Sequence, residues 1–333
     1  MRRAVPLIAS LIAIWLSADR LLAGDDKPAF AGYRRESLRL ANMSGEPDER
    51  QLDVWYPTTE SEQPFDYRFQ AGFVAKDAPV AGGRHPLLVF SHGYRGASDQ
   101  SIFIMEACAR AGYVVASLNH ADAIAEFGGR REDPPRFRDF DSWTDEKYRD
   151  RKRDIGSLLD EMLLRNGDAK SPWHKRINAS EIGGMGHSLG GYTMLGLAGG
   201  WKTWKEPRIK TVVAFSPYVQ PFTSNGDLPG IDVPIMVQGG TFDLGVTPFL
   251  PPAYEKLKCP KAEIVLRAEN HFGWTNLATL RTTTTEAAAH GNPELIVQYA
   301  IAFFDEHLRG LDRSEVTGRL KGRLFAYRSD NGR

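Results

Sequence analysis

The chain has 333 residues, 42% hydrophobic and 25% charged, a composition that suits a globular protein with a sizeable core and excludes a disordered one. Lys plus Arg and Asp plus Glu number 42 each, so no overall field draws the chain to nucleic acid or an anionic membrane. The balance points to a small or neutral molecule as partner.

The first residues are basic, Arg2 and Arg3, and are followed by the apolar "AVPLIASLIAIWLSA" and the more polar "DRLLAGDDKP". This order describes a secretory leader over residues 1–24, with small residues suited to cleavage at Ala18 and Ala23. The apolar run is short for a membrane span, so an uncleaved anchor is the minor alternative. Export, periplasmic or extracellular, is the expectation, with residues 25–333 forming one catalytic domain and no stable span once the leader is removed. The two cysteines differ in setting: Cys108 has apolar neighbours at helical spacing, and Cys259 lies beside Pro260. They leave a disulfide open without forming a framework. There is no CxxC or HExxH, so no metal site is expected, and no cofactor.

Beyond the leader, "YRRESLRLAN" and "ERQLDVWYP" read as a strand hairpin across "MSGEPD". From Pro86, "PLLVFSHG" is a buried strand and "SDQSIFIMEACARAG" a helix, with Ser98 or Asp99 as N-cap and Gly112 at its end. "YVVASLNH" follows as another strand. The charged, Pro- and Gly-containing segment from Ala121 to Asp145 lacks apolar periodicity and reads as a surface loop or lid, its arginines and aspartates solvated. Helix and strand then alternate: "KYRDRKRDIGSLLDEMLLRNG", "EIGGMGHS", "YTMLGLAGG", "IKTVVAFSP", "VPIMVQGG", "KAEIVLRAEN" and "PELIVQYAIAFFDEHLRG". Strands apolar on both faces, separated by helices, make an α/β fold with a mostly parallel sheet, antiparallel at its start and covered by helices on both faces. The C-terminal "LDRSEVTGRLKGRLFAYRSDNGR" reads as a peripheral segment.

Gly186-His187-Ser188-Leu189-Gly190 fits G-x-S-x-G, with a strand before it and a helix after it. Such a turn lifts a serine above the sheet edge, and its glycines allow the close backbone approach. A serine hydroxyl needs a base to take its proton and a carboxylate to orient that base, in the chain order Ser, Asp or Glu, His. Of the eight histidines, His271 fits: it follows a strand, in "ENHFGW", where α/β sites collect. His187 is expected to point away from the chemistry and His92 to be structural, while His120 precedes the serine. His85 and His174 sit in polar loops, and His290 and His307 read as surface or helix-packing residues. Asp243, just after the preceding strand, is the expected carboxylate. Asp232 lies at the wrong strand end, Asp227 further upstream, and Glu269 is too close to His271 to face it. The oxyanion donors are expected to be the backbone N–H groups of Leu189 and of Tyr94 in "HGYRG".

Together "LLVFSHGYRGASDQSIFIMEACARAGYVVASLNHADA", "GMGHSLGGYTML" and "ENHFGW" resemble the α/β-hydrolase superfamily over almost the whole mature chain. Within it the chain looks like the predicted dienelactone hydrolase group, related to plasma-type platelet-activating factor acetylhydrolases and, more distantly, to bacterial cutinases. The resemblance implies a Ser188, Asp243 and His271 triad, oxyanion amides at Tyr94 and Leu189, and hydrolysis of a small ester of short acyl length. It also implies lipid-ester chemistry as one option and places Tyr94, Tyr218 and Trp274 as aromatics beside the cleft. True dienelactone hydrolases carry cysteine at the elbow, so serine here favours ester hydrolysis. Polyester or cutin hydrolysis, and a catalytically silent binding module of the same fold, are the alternatives.

Overall fold

In the computed structural model, residues 30–41, 47–67, 70–124, 129, 135–276 and 292–332 are described. The leader, His290 and parts of the 121–145 segment lie outside them. Eleven strands form one sheet: β1 Phe30–Ala41, β2 Pro47–Thr58, β3 Gln63–Tyr67, β4 Gln70–Lys76, β5 His85–Ser91, β6 Val114–Leu118, β7 Ile177–His187, β8 Thr211–Phe215, β9 Ile235–Gly240, β10 Lys261–Leu266 and β11 Ala326–Asp330. Their order across the sheet is β11-β10-β9-β8-β7-β5-β6-β2-β1-β4-β3. Strands β5 to β10 pair in parallel, while β1 and β2 form the antiparallel hairpin read from the sequence.

Alternation along the central strands explains why helices cover both faces. Leu87 and Val89 of β5, with Val212 and Ala214 of β8, pack on one side against the helix α2, Arg149–Gly167. Leu88 and Phe90, with Val213 and Phe215, pack on the other against α1, Ile102–Arg110, and α6, Asn292–Arg309. Each strand thus buries both rows of side chains, as a parallel sheet under helices requires. The remaining helices are α3, Leu189–Leu195, α4, Gln220–Ser224, α5, Leu250–Lys256, and α7, Ser314–Leu320.

Three features depart from the sequence reading. The N-cap of α1 is Ser101, because Ser98 and Asp99 are engaged elsewhere: Ser98 Oγ donates to Asp53, and Arg35 donates to Asp99 at 2.7 Å. The C-terminal segment is not peripheral; it supplies α7 and then β11, which pairs antiparallel with β10, so β10 is not the edge strand. The β3 and β4 hairpin extends the opposite edge. Cys108 and Cys259 are both buried, unpaired thiols, and burial pushes them up to about 12 and about 11. No helix among the described residues is long and apolar enough to cross a membrane.

Strand β5 has β6 on one side and β7 on the other, so the direction of winding reverses there. A crevice opens beyond the carboxyl ends of the strands at such a reversal, and Ser188, Asp243 and His271 follow the ends of β7, β9 and β10 there.

One buried carboxyl gives the fold a pH signature. Glu106 of α1 accepts from Tyr67 Oη and the Phe73 amide, both at 3.1 Å, and burial pushes its pKa up to about 7 despite the nearby Arg110. The folded value lies above the unfolded one, so this contribution to stability is complete in acid and is lost as pH rises through about 7. Thermal unfolding of the wild type is expected to weaken between about pH 5 and 8 more than that of Glu106→Gln, by at most about 3 kcal/mol.

Candidate active site

The turn from β7 into α3 carries Ser188 at φ 54°, ψ −116°, a conformation costly for a residue with a Cβ. Three backbone bonds hold it: Ser188 N–H donates to Phe215 O at 2.9 Å, and Ser188 O accepts from Tyr218 N at 3.0 Å and Tyr192 N at 3.1 Å. Glycine is required on both sides for want of space. A Cβ on Gly186 would lie 2.4 Å from Gly190 O, and one on Gly190 would lie 1.8 Å from Ser91 O.

The loops after β9 and β10 bring the other two groups to this serine. His271 Nε2 lies 2.9 Å from Ser188 Oγ, and His271 Nδ1 lies 2.8 Å from Asp243 Oδ2. Asp243 is a carboxylate and only accepts, so the imidazole proton sits on Nδ1 and Nε2 is the lone pair facing the serine hydroxyl. Asp243 is 4% exposed; burial opposes its charge, but the contacts from His271 and Ser216 outweigh it and hold the carboxyl below its ordinary range. Phe242 N–H donates to Glu269 O at 2.8 Å, tying the two loops together. Glu269 turns away: its carboxylate accepts from Asn292 at 2.9 Å and from the Asn270 amide at 3.2 Å. Asp232 pairs with Lys205, and Asp227 caps a turn at Gly230.

Sequence reasoning missed Ser216. It follows β8 at φ 42°, donates to Asp243, and its Oγ lies 2.9 Å from His271 Nδ1. The only trace in the sequence is a polar residue at a parallel strand's end.

His187 is a correction. It does not point away: burial, then the neighbouring His271, push it down to about 3, and its ring stands 4.9 Å from that of His271. A neutral His187 donates from Nε2 to His271 O at 2.7 Å and accepts at Nδ1 from Gln100 Nε2 at 3.2 Å. Gln100 Oε1 in turn accepts from the Gly93 amide at 3.0 Å, so the elbow, the His271 loop and the "HGYRG" loop are joined by one run of hydrogen bonds. His92 is buried and structural as expected: its Nε2 accepts from the His120 amide at 2.9 Å. His120 is buried against Ser91 and Asp154.

A cavity of about 640 Å³ opens over Ser188, His271 and His187, walled by Tyr67, Tyr94, Ile102, Ile124, Phe137 and Phe272. Of the expected cleft aromatics, Tyr94 lines it and the other two do not. Tyr218 is held among Phe137, Trp143 and Tyr192, its hydroxyl donating to Phe137 O at 2.9 Å. Trp274 is fully buried, with Nε1 donating to Gln238 Oε1 at 2.9 Å. Both were drawn inward by apolar packing with one polar partner, the usual fate of large aromatics. Phe137 and Ile124 come from the Ala121–Asp145 segment, so its described residues form part of the cavity wall. The acidic residues there are not all solvated: Asp122 is 1% exposed and pairs with Arg151.

This sheet, wound in both directions from β5 and carrying a nucleophile elbow at the end of β7, is the α/β-hydrolase fold. Among known proteins the chain is similar to the cutinase est2 of Thermobifida alba, 28% identical over 198 residues, which are 58% of this chain and 55% of that protein. The chain therefore spans about half the length of the curated relative it matches. It also superposes on the solved structure of a ferulic acid esterase from Streptomyces cinnamoneus with a TM-score of 0.62 at 21% identity, covering 87% of this chain and 93% of that one. No protein-family model matches the chain.

The depressed pKa of His187 makes the site sensitive to acid. Because the folded value is about 3 and the unfolded one near 6.5, its contribution is present above about pH 6.5 and is lost as pH falls toward 3. His187→Gln is expected to flatten the loss of thermal stability between about pH 6.5 and 4, measured by calorimetry, by at most about 3 kcal/mol.

Proposed function

We propose that the chain is an exported serine hydrolase of carboxylic esters, with Ser188 as nucleophile, His271 as general base and Asp243 as the carboxylate that orients it. The observation that carries the reading is the unbroken contact Ser188 Oγ, His271 Nε2, His271 Nδ1, Asp243 at 2.9 and 2.8 Å, opening on an apolar cavity. The same contact weighs against a silent binding module. The likeness to a cutinase and the shared fold with a ferulic acid esterase support the ester class. Export rests on the leader pattern of the first residues.

In this reading Ser188 Oγ attacks the ester carbonyl as its proton passes to His271 Nε2, and Asp243 stabilises the imidazolium so formed. The tetrahedral oxyanion is bound by the amides of Tyr94 and Leu189, neither of which has a protein acceptor among the described residues. Collapse expels the alcohol, which takes the proton from His271, and leaves an acyl-serine. A water deprotonated by the same histidine then releases the acid. The substrate is a small ester of short acyl length, in the manner of acetylhydrolases of the dienelactone hydrolase group, with the wider apolar cavity receiving the alcohol part. The likeness to a cutinase favours a second reading, attack on polymeric esters.

Hydrolysis of p-nitrophenyl esters from acetate to palmitate by the mature protein separates these readings. Activity is expected to fall steeply with chain length and to drop by about 10⁶ in Ser188→Ala. A flat profile together with release of acid from a polyester film would favour the second reading. No hydrolysis of any ester by folded protein would sink both. Asp243→Asn is expected to lower kcat by about 10⁴, because the amide stabilises the wrong imidazole tautomer. Ser216→Ala, which leaves the carboxylate in place, is expected to cost only about tenfold in the same assay.

A further inference from the structure

We infer that Arg151 is a positioning residue of the oxyanion site: its buried guanidinium holds the Gly93 carbonyl and thereby aims and polarises the Tyr94 amide. The inference rests on the ester-hydrolase reading and adds a residue that never touches substrate.

Arg151 is fully buried on α2, and all its donors are used. Nε and Nη2 form a fork on Asp122 at 2.9 and 2.7 Å. Nη1 donates to His92 O at 2.7 Å and Ser91 Oγ at 3.2 Å, and Nη2 also donates to Gly93 O at 3.3 Å. A buried cation whose five donors meet the Asp122 carboxylate and three acceptors on the end of β5 and its loop costs much desolvation and holds that loop tightly in return.

The geometry of one peptide unit carries the argument. Gly93 C=O and Tyr94 N–H belong to the same planar trans peptide and point in opposite directions. Three donors gather on that carbonyl: Arg151, the Gly96 amide at 3.0 Å, and the His92 ring, whose Nδ1 lies 2.7 Å away. His92 Nε2 accepts from His120 N–H, so its proton sits on Nδ1 and the ring donates to Gly93 O. With the carbonyl held on that side, Tyr94 N–H faces the other. Gly93 itself adjoins the nucleophile: a Cβ on it would lie 3.5 Å from Ser188 Cβ.

Arg151 differs from the other two donors in its full charge. A cation on the carbonyl end of a peptide draws electron density from the amide end and strengthens the N–H as a donor in a low-dielectric surrounding. Asp122 keeps that charge in place and also ties down the loop, since Arg95 N–H donates to Asp122 O at 3.1 Å and Ile124 N–H to Gly96 O at 3.0 Å.

The test compares Arg151→Lys, which keeps a charge opposite Asp122 but lacks the fork, with the neutral pair Arg151→Gln and Asp122→Asn, which orphans no buried charge. In whichever variant retains the wild-type circular dichroism, kcat on p-nitrophenyl acetate is expected to fall about 10²-fold, as when one oxyanion donor is lost, with KM changed less than about threefold. A trifluoromethyl ketone, which adds to the serine as an oxyanion, is expected to lose affinity in proportion to kcat. The methyl ketone of the same shape keeps its affinity. A folded variant whose kcat stays within about threefold of wild type overturns the inference, as does equal weakening of both ketones, the mark of a purely structural role. If instead the wild type hydrolyses no ester and an activated phosphonate does not label Ser188, the failure belongs to the ester-hydrolase reading.

Discussion

The backbone of Ser188 rests at φ 54° only because its amide, its carbonyl and the chain on either side are all held by other elements. Its N–H is bonded to the end of β8, its carbonyl to Tyr192 and Tyr218, and Gly190 passes so close to the end of β5 that no side chain fits between them. A conformation of this kind costs on the order of 1–3 kcal/mol and persists where its surroundings leave no alternative. The parallel strands β5, β7 and β8 are those surroundings. Every other group of the site is placed relative to this turn, because the loops that carry Tyr94, Asp243 and His271 leave the same edge of the same sheet.

Around the turn, Asp243, His187 and the Arg151–Asp122 pair are each matched to partners that fix their protonation states. Asp243 is kept ionised by His271 and Ser216, and that carboxylate assigns the imidazole proton to Nδ1. His187 is kept neutral by burial and therefore has one nitrogen to donate to the His271 loop and one to accept from Gln100. Arg151 and Asp122 neutralise each other beneath the loop of Gly93. Such networks are rigid because an unmatched member would carry its full desolvation cost, so the geometry of the site is enforced by electrostatics as much as by packing.

The apolar rows of β5 and β8, the hairpin of β1 and β2 and the helical period of α1 and α6 were readable because burial on one or both faces writes a local pattern. The glycines of the elbow were readable for a related reason, since close approach leaves glycine as the only residue that fits. The misreadings share a cause as well. Trp274 and Tyr218 read as cleft residues in the sequence because nothing local tells an aromatic at a cavity wall from one packed behind it. Ser98 and Asp99 have the residue types of helix caps, but distant Asp53 and Arg35 engage their side chains. Arg151 does carry a local signal: it lies on the helical face of Ile155, Leu158 and Met162, where a charge is expected to have a buried partner.

By itself the sequence determined the alternation of strands and helices, the glycine-flanked serine, and the chain order in which Asp243 and His271 follow it. These are local facts of periodicity and backbone space. Which side chains meet was decided by the tertiary structure alone, because contacts such as Ser188 with His271, Ser216 with Asp243 and Arg151 with Gly93 join residues 83, 27 and 58 positions apart. The sheet brings their strand ends and loops to one edge, and only there do distance, burial and charge select the partner each polar group takes.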